Sequence, residues 1–307
     1  MMKIPLITHP AYSFDFSTKH RFPMQKFRLL HEFLKAKGLA TDNNTFRPGR
    51  AKTSLLALAH CPEYINQFCT NQLDDRALRQ MGLPWSDALL KRSLISPAGT
   101  LLAAHYAMRY GIACHLAGGT HHAHFDAASG FCVLNDLAIT AKGLIHRARL
   151  QNLPPPRILI FDCDVHQGDG TASILANEPL AFTCSIHCDK NFPARKATSD
   201  MDVEIPKGTG DDAYLASVES ALLAAIAACQ PSMILYDAGV DIFSGDPLGL
   251  LDITKEGIRQ RDRLVLRHCR DQQIPVATVI GGGYDDDRKA LARRHAIAVE
   301  EAFSLYC

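Results

Sequence analysis

Residues 161–170 read Phe-Asp-Cys-Asp-Val-His-Gln-Gly-Asp-Gly and follow the apolar run Ile158-Leu159-Ile160. Asp162, Asp164 and His166 stand two residues apart, so on an extended strand their side chains share one face. Carboxylate oxygens and an imidazole nitrogen on a common edge are the beginning of a catalytic zinc site. At the carboxyl end of a buried strand they would sit where open α/β sheets place their ligands. A structural salt-bridge network is the alternative, and the cost of burying unpaired carboxylates argues against it.

Three further segments share that layout of an apolar run followed by reactive side chains. Gly118-Gly119-Thr120-His121-His122-Ala123-His124 sets two adjacent imidazoles, which titrate near neutrality, after a glycine turn. Residues 236–247, from Tyr236 through Asp237 and Asp241 to Asp246-Pro247, end a run in acidic residues. Gly281-Gly282-Gly283-Tyr284 joins a permissive backbone to a phenol. Singly, each has a plain alternative: a polar loop, an acidic turn or helix cap, a glycine turn. Together they make a set. Asp164, His166 and Asp241 could supply three metal ligands and leave a fourth position for water and substrate. His121 and His122 could handle protons, and Tyr284 could donate to a developing oxyanion.

The elements that must position these groups are legible in the hydropathy pattern. Ile112–Leu116, Arg157–Phe161, Ala181–Ile186, Met233–Tyr236 and Val276–Ile280 read as short buried strands. Helical patterns lie between them at Leu101–Arg109, Leu134–Arg149, Ala213–Ala228, Glu256–Cys269 and Lys289–Leu305, with others near Met24–Lys37 and Asp74–Met81. This alternation predicts an α/β fold: a single domain over residues 1–307, with a mainly parallel central sheet, helices on both faces and the site in loops at the sheet's carboxyl edge. Pro154-Pro155-Pro156 reads as a stiff turn into the Arg157 strand. The first hundred residues carry weaker strand signals.

Bulk properties narrow the class. A net charge of +1 and no long basic tract give no footprint for nucleic acid as a direct partner. Ten cysteines without a CxxC pair suit reduced thiols in a cytoplasmic protein. The N-terminus lacks an apolar signal core and no stretch approaches 18 apolar residues, so neither secretion nor a membrane span is expected.

GGTHHA, DCDVHQGDG, AGVDIFSGDPLG and GGGY, in this order, resemble the four signatures of the histone deacetylase family, which has an arginase-like fold. Gln167, the Phe22-Pro23-Met24 segment and the stretch from Asn191-Phe192-Pro193 to Pro206-Lys207-Gly208-Thr209 are similar to its class IV branch. The resemblance implies a metal, zinc or ferrous iron, on Asp164, His166 and Asp241. It implies His122, oriented by Asp169, as general base and then acid, and His121, held by Asp162, as electrostatic support. Tyr284 would polarise the scissile carbonyl. Phe131 and Phe192 would wall an acyl-lysine channel, with Leu248 at its rim and the Gly130 carbonyl on the substrate amide. Asp162 and Ser185 match positions that hold a structural monovalent cation, K+, in the family.

The substrate implied is an acylated lysine side chain, with acetyl or a longer chain, or a small N-acyl amine such as an acetylpolyamine. A two-manganese ureohydrolase would need further carboxylates bridging the metals, and a non-catalytic acyl-binding scaffold would be expected to have lost a ligand, a dyad member or the tyrosine. Oligomeric state stays open. His20, His60, His105, His115, His124 and His187 are surplus to the ligand set, and Cys163 is expected to face the core by alternation. Trp85 is read as loop packing or the substrate mouth, and Asp285-Asp286-Asp287 as the solvated start of the last helix.

Overall fold

The computed structural model describes residues 4–307. In chain order its strands are β1 (Leu6–Ile7), β2 (Thr45–Phe46), β3 (Ile112–His115), β4 (Ile158–Asp162), β5 (Ala181–Cys188), β6 (Met201–Ile205), β7 (Met233–Asp237) and β8 (Val276–Val279). They form one sheet ordered β2-β1-β3-β8-β7-β4-β5-β6, and every neighbouring pair is parallel. The helices are α1 (Lys26–Ala36), α2 (Thr53–Leu56), α3 (Pro62–Cys69), α4 (Asp75–Met81), α5 (Asp87–Tyr110), α6 (Asp136–Leu150), α7 (Asp169–Leu175), α8 (Asp211–Cys229), α9 (Lys255–Asp271) and α10 (Arg288–Tyr306). α1, α10, α9 and α8 pack side by side as one layer, and α5, α6 and α7 form another.

The five expected strands are β3, β4, β5, β7 and β8, with ends that move by a residue or two. All residues of β3, β4, β7 and β8 are buried, which is why they read as unbroken apolar runs. The strands not expected are β1 and β2, two residues each, and β6, an edge strand. β6 did carry a signal, because Met201-Asp202-Val203-Glu204-Ile205 alternates apolar and acidic residues. The expected helix Leu101–Arg109 is only the end of α5, which starts at Asp87 and runs through Pro97. Proline ordinarily breaks a helix. Here α5 packs along β3, β8 and α6, and that burial carries the helix through the missing hydrogen bond. α8 is long and apolar enough by composition to cross a membrane, yet its buried side, Tyr214, Val218, Leu222 and Ala225, faces the sheet and α9.

α9 also ties the layer to the sheet's carboxyl edge. Its Arg261 is fully buried and donates to the carbonyls of Cys163 (3.3 Å), Gly239 (2.6 Å) and Ala238 (3.3 Å). Those carbonyls belong to the loops after β4 and β7, the loops that carry Asp164 and Asp241. Asp262 neutralises the guanidinium at 2.8 Å. Removing one partner of a buried ion pair strands the other. Arg261→Met is therefore expected to cost about 3–5 kcal/mol in denaturant unfolding. A loss under about 1 kcal/mol, the range of an exposed pair, would refute this role.

Candidate active site

β3, β8, β7 and β4 are neighbours in the sheet, and each opens at its carboxyl end into one of the four reactive segments. The loop after β5 adds Phe192. Parallel strands bring segments far apart in sequence to one edge, as the carboxyl-edge rule for open α/β sheets requires. β4 ends at Asp162, so Asp164 and His166 lie in the turn beyond it and not on the strand itself.

Asp164, His166 and Asp241 are buried, and one ligand atom from each lies within 4.8 Å of the others. His166 Nδ1 stands 2.9 Å from Asp164 Oδ1 and 3.2 Å from Asp241 Oδ2. The outer carboxylate oxygens are held by backbone: Gly282 N–H donates to Asp164 Oδ2 (2.6 Å) and Val165 N–H to Asp241 Oδ1 (2.9 Å). Asp241 Oδ2 has no hydrogen-bond partner although it is buried. Residue 282 must be glycine, because a Cβ there would overlap both Asp241 Oδ2 and Asp164 Oδ2. Burial works against a charged His166, but its pairing with the carboxylates of Asp164 and Asp241 outweighs it and lifts its pKa to about 10. The same pull suits a divalent cation, which competes with that proton for the imidazole. The donor set, its orphan oxygen and its backbone supports fit a three-ligand metal site.

The histidine pair lies beside this cluster with ring centroids 4.1 Å apart. His121 Nδ1 meets Asp162 Oδ2 at 2.8 Å, and His122 Nδ1 meets Asp169 Oδ1 at 2.6 Å. Burial disfavours charge on both rings. For His121 the fields of Asp162 and Asp164 reverse that and raise its pKa well above the usual value. For His122 burial prevails, helped by a cationic His121, and its pKa falls to about 4. His122 is thus neutral near pH 7 with Nδ1 engaged, which leaves Nε2 as the free basic nitrogen.

Tyr284 is buried, and its backbone N–H donates to Asp246 Oδ2 at 2.6 Å. Burial and the charges of Asp241 and Asp164 push its pKa well up, so the phenol keeps its proton as a donor. His122, His166, Gly130, Phe131, Phe192, Leu248 and Tyr284 all line one open cavity of about 490 Å³. A smaller inner cavity of about 30 Å³ adjoins it, lined among others by Gly119, His121, Asp164, Gly281 and Lys26. The sequence-derived metal, proton-transfer and channel residues therefore converge, Asp162 and Asp169 from behind the histidines. Ser185 stands apart, opposite Asp162 across β4 and β5, with Oγ 3.0 Å from His187 Nδ1.

A sequence model described as the histone deacetylase domain matches residues 20–300. The chain belongs to the histone deacetylase family. It is thus a hydrolase of the deacetylase type, on the arginase-like fold expected from its signatures. It is 43% identical to an uncharacterized protein of Picosynechococcus sp., across 99% of this chain and 100% of that one. With histone deacetylase 2 of Arabidopsis thaliana it shares 29% identity, across 98% of this chain and 79% of the relative. Its fold superposes on the crystal structure of an HDAC homolog complexed with SAHA with a TM-score of 0.79, at 23% identity and covering 98% and 84% of the two chains.

Several residues that serve this family site were not singled out from sequence. Asn135 Nδ2 donates to the carbonyls of His121 and Ala123, both at 3.1 Å, and Asp136 accepts from Thr120 N–H at 2.7 Å. Together they brace the His-His loop from the start of α6, and a polar pair opening a helix was the available signal. Buried Lys26 reaches the carbonyls of Gly281 (3.0 Å) and Gly283 (3.4 Å) under the glycine loop. Asp246, seen only as part of an acidic turn, anchors Tyr284. Asp237 is buried beside His121 and Asp162. Among the surplus histidines, His124 has a contact of its own: its Nε2 lies 3.2 Å from the second Asp169 oxygen. Cys163 is buried as expected. Trp85 hydrogen-bonds the Phe68 carbonyl at 2.8 Å and lines neither cavity. Asp287 caps α10, while Asp285 pairs with buried Arg294 at 2.7 Å and is not simply solvated.

Its hydrogen bond to Asp169 raises the His124 pKa above the ordinary value of 6.5. The folded state then holds that proton more tightly than the unfolded state. The stabilisation is complete below the unfolded pKa and vanishes as pH rises through the folded one. Thermal melts of His124→Ala should show a larger loss of Tm at about pH 5.5 than at about pH 9. Equal losses at both would contradict the linkage.

Proposed function

We propose that this chain, acting as one catalytic domain over residues 1–307, is a metal-dependent deacylase that removes a short acyl group from an acylated lysine side chain. The observation that carries it is the convergence of Asp164, His166, Asp241, the His122–Asp169 pair and Tyr284 on one channel. Zinc or ferrous iron on the three ligands would supply Lewis acidity, activating water and polarising the scissile carbonyl. His122 Nε2 takes the proton of the attacking water and returns it to the departing amine, while Asp169 holds the ring in the required tautomer. His121, paired to Asp162, contributes positive charge near the developing oxyanion. The Tyr284 hydroxyl donates to that oxyanion, an interaction worth about 3–4 kcal/mol in comparable sites.

Phe131 and Phe192 wall the lysine stem, Leu248 forms part of the rim, and the Gly130 carbonyl accepts from the substrate amide. A structural K+ on Asp162 and Ser185 completes the reading, supported by their pairing across β4 and β5. The cavities support one choice among acyl groups and amines. An inner volume of about 30 Å³ beside the ligand cluster supports a short acyl group over a myristoyl chain. Arg21 and Arg79 line the mouth with no carboxylate among its lining residues, which disfavours a polycationic acetylpolyamine. A net charge of +1 supports a protein that does not bind nucleic acid directly, and ten cysteines without a CxxC pair support a cytoplasmic one.

Purified protein assayed against acetyl-lysine and myristoyl-lysine peptides and an acetylated polyamine should favour the first. Tyr284→Phe should lower kcat/KM by about 100- to 1,000-fold, and His122→Ala by a comparable factor. Turnover that survives both substitutions, or a preference for the myristoyl peptide, would sink this reading.

A further inference from the structure

We infer, on the basis of the deacylase reading, that the channel rim selects acyl-lysines standing next to acidic residues, and that Arg21 and Arg79 make the selection. Both arginines line the open cavity that also holds Phe131, Phe192 and Tyr284, and among the described residues no aspartate or glutamate lines it with them. Both are exposed, and among the described residues neither guanidinium has a hydrogen bond or an ion pair. Other arginines of this chain are matched within the fold: Arg28 with Glu32, Arg263 with Glu301 and Arg294 with Asp285, each at 2.7 Å. Two unmatched cations are thus left at the opening that leads to the ligand cluster.

The backbone that carries them is fixed, which separates these two from ordinary mobile surface charges. Arg21 lies between His20 and the buried Phe22. His20 Nδ1 accepts from the Phe22 N–H at 3.0 Å, and Nε2–H is left to donate to the Gly82 carbonyl, also at 3.0 Å. Gly82, in the left-handed region at φ +72°, ends α4, and the last turn of α4 carries Arg79. Phe131 closes the frame. Its N–H donates to the Met81 carbonyl at 3.0 Å, and its ring stands 5.8 Å from that of His20 and 5.7 Å from that of Phe22. The loop of Arg21 and the end of α4 are therefore joined to each other and to a channel wall. A cation in the last turn of a helix also favours the helix dipole, a role that accounts for Arg79 but not for Arg21.

The chemistry of the ligand follows from the guanidinium groups, which pair with carboxylates through parallel hydrogen bonds. An acylated lysine is itself neutral, so the rim meets only the charges that flank it. With the acyl-lysine in the channel, its sequence neighbours lie at the rim, where aspartate or glutamate can pair with Arg21 or Arg79. Lysine or arginine in the same places would be repelled.

The test uses the Zn2+-loaded full chain and acetyl-lysine peptides of one length whose flanking residues are glutamate, serine or lysine. The expected kcat/KM falls in that order, with about 3- to 20-fold between the extremes, the scale of two exposed ion pairs. The difference should sit in KM, because a rim contact is the same in ground and transition states. It should also shrink as salt rises from about 0.05 to about 0.5 M, a wild-type readout that needs no variant to fold. Arg21→Glu combined with Arg79→Glu should reverse the order. Equal turnover of the three peptides, or an order that survives the charge reversal, overturns the rim selection and leaves the deacylase reading intact. No turnover on any of the peptides overturns both.

Discussion

The structure depends on holding many carboxylates together away from water. Asp136, Asp162, Asp164, Asp169, Asp237, Asp241 and Asp246 are all buried along one edge of the sheet. Isolated charges in such surroundings would take up protons or unfold the site. All but Asp237 are met by a specific partner, and those partners shape the local chain. Asp136 takes donors from the loop it braces, Asp169 sits between two histidines, and Asp246 accepts the backbone N–H groups of Leu248 and Tyr284. Asp164 takes backbone donors on both oxygens and Asp241 on one only, and their free faces turn toward His166 in the candidate metal cluster.

That arrangement explains the support behind the site. Arg261 from α9 binds the carbonyls of both ligand loops, and Lys26 from α1 binds those of the glycine loop. Each is a buried cation placed on carbonyl oxygens beside an anionic cluster. Each therefore offsets negative charge and fixes backbone position together. Such support matters to catalysis because misplacement by an ångström weakens a preorganised site severely.

The two adjacent imidazoles are differentiated by the same fields. His121 faces Asp162 and Asp164 and gains basicity; His122 faces one carboxylate and a cationic neighbour and loses it. Two adjacent residues of one type thus acquire opposite protonation habits from their surroundings, which is how one chemistry can use both an electrostatic group and a free base.

The strands β3, β4, β5, β7 and β8, the order of the four reactive segments and the candidate ligand trio were legible in the sequence. Buried parallel strands must be apolar throughout, and their loops are the natural place for Asp164, His166, Asp241 and Tyr284. It was silent on β1 and β2, where two residues pair only because β3 offers an edge. It could not follow α5 through Pro97, since packing against the sheet outweighs the local cost. The surroundings of Lys26, Arg261 and Asp237 were decided by the tertiary structure alone. Their partners lie far away in sequence, and no spacing along the chain encodes which carbonyl a buried cation will meet or which carboxylate will be left without a donor.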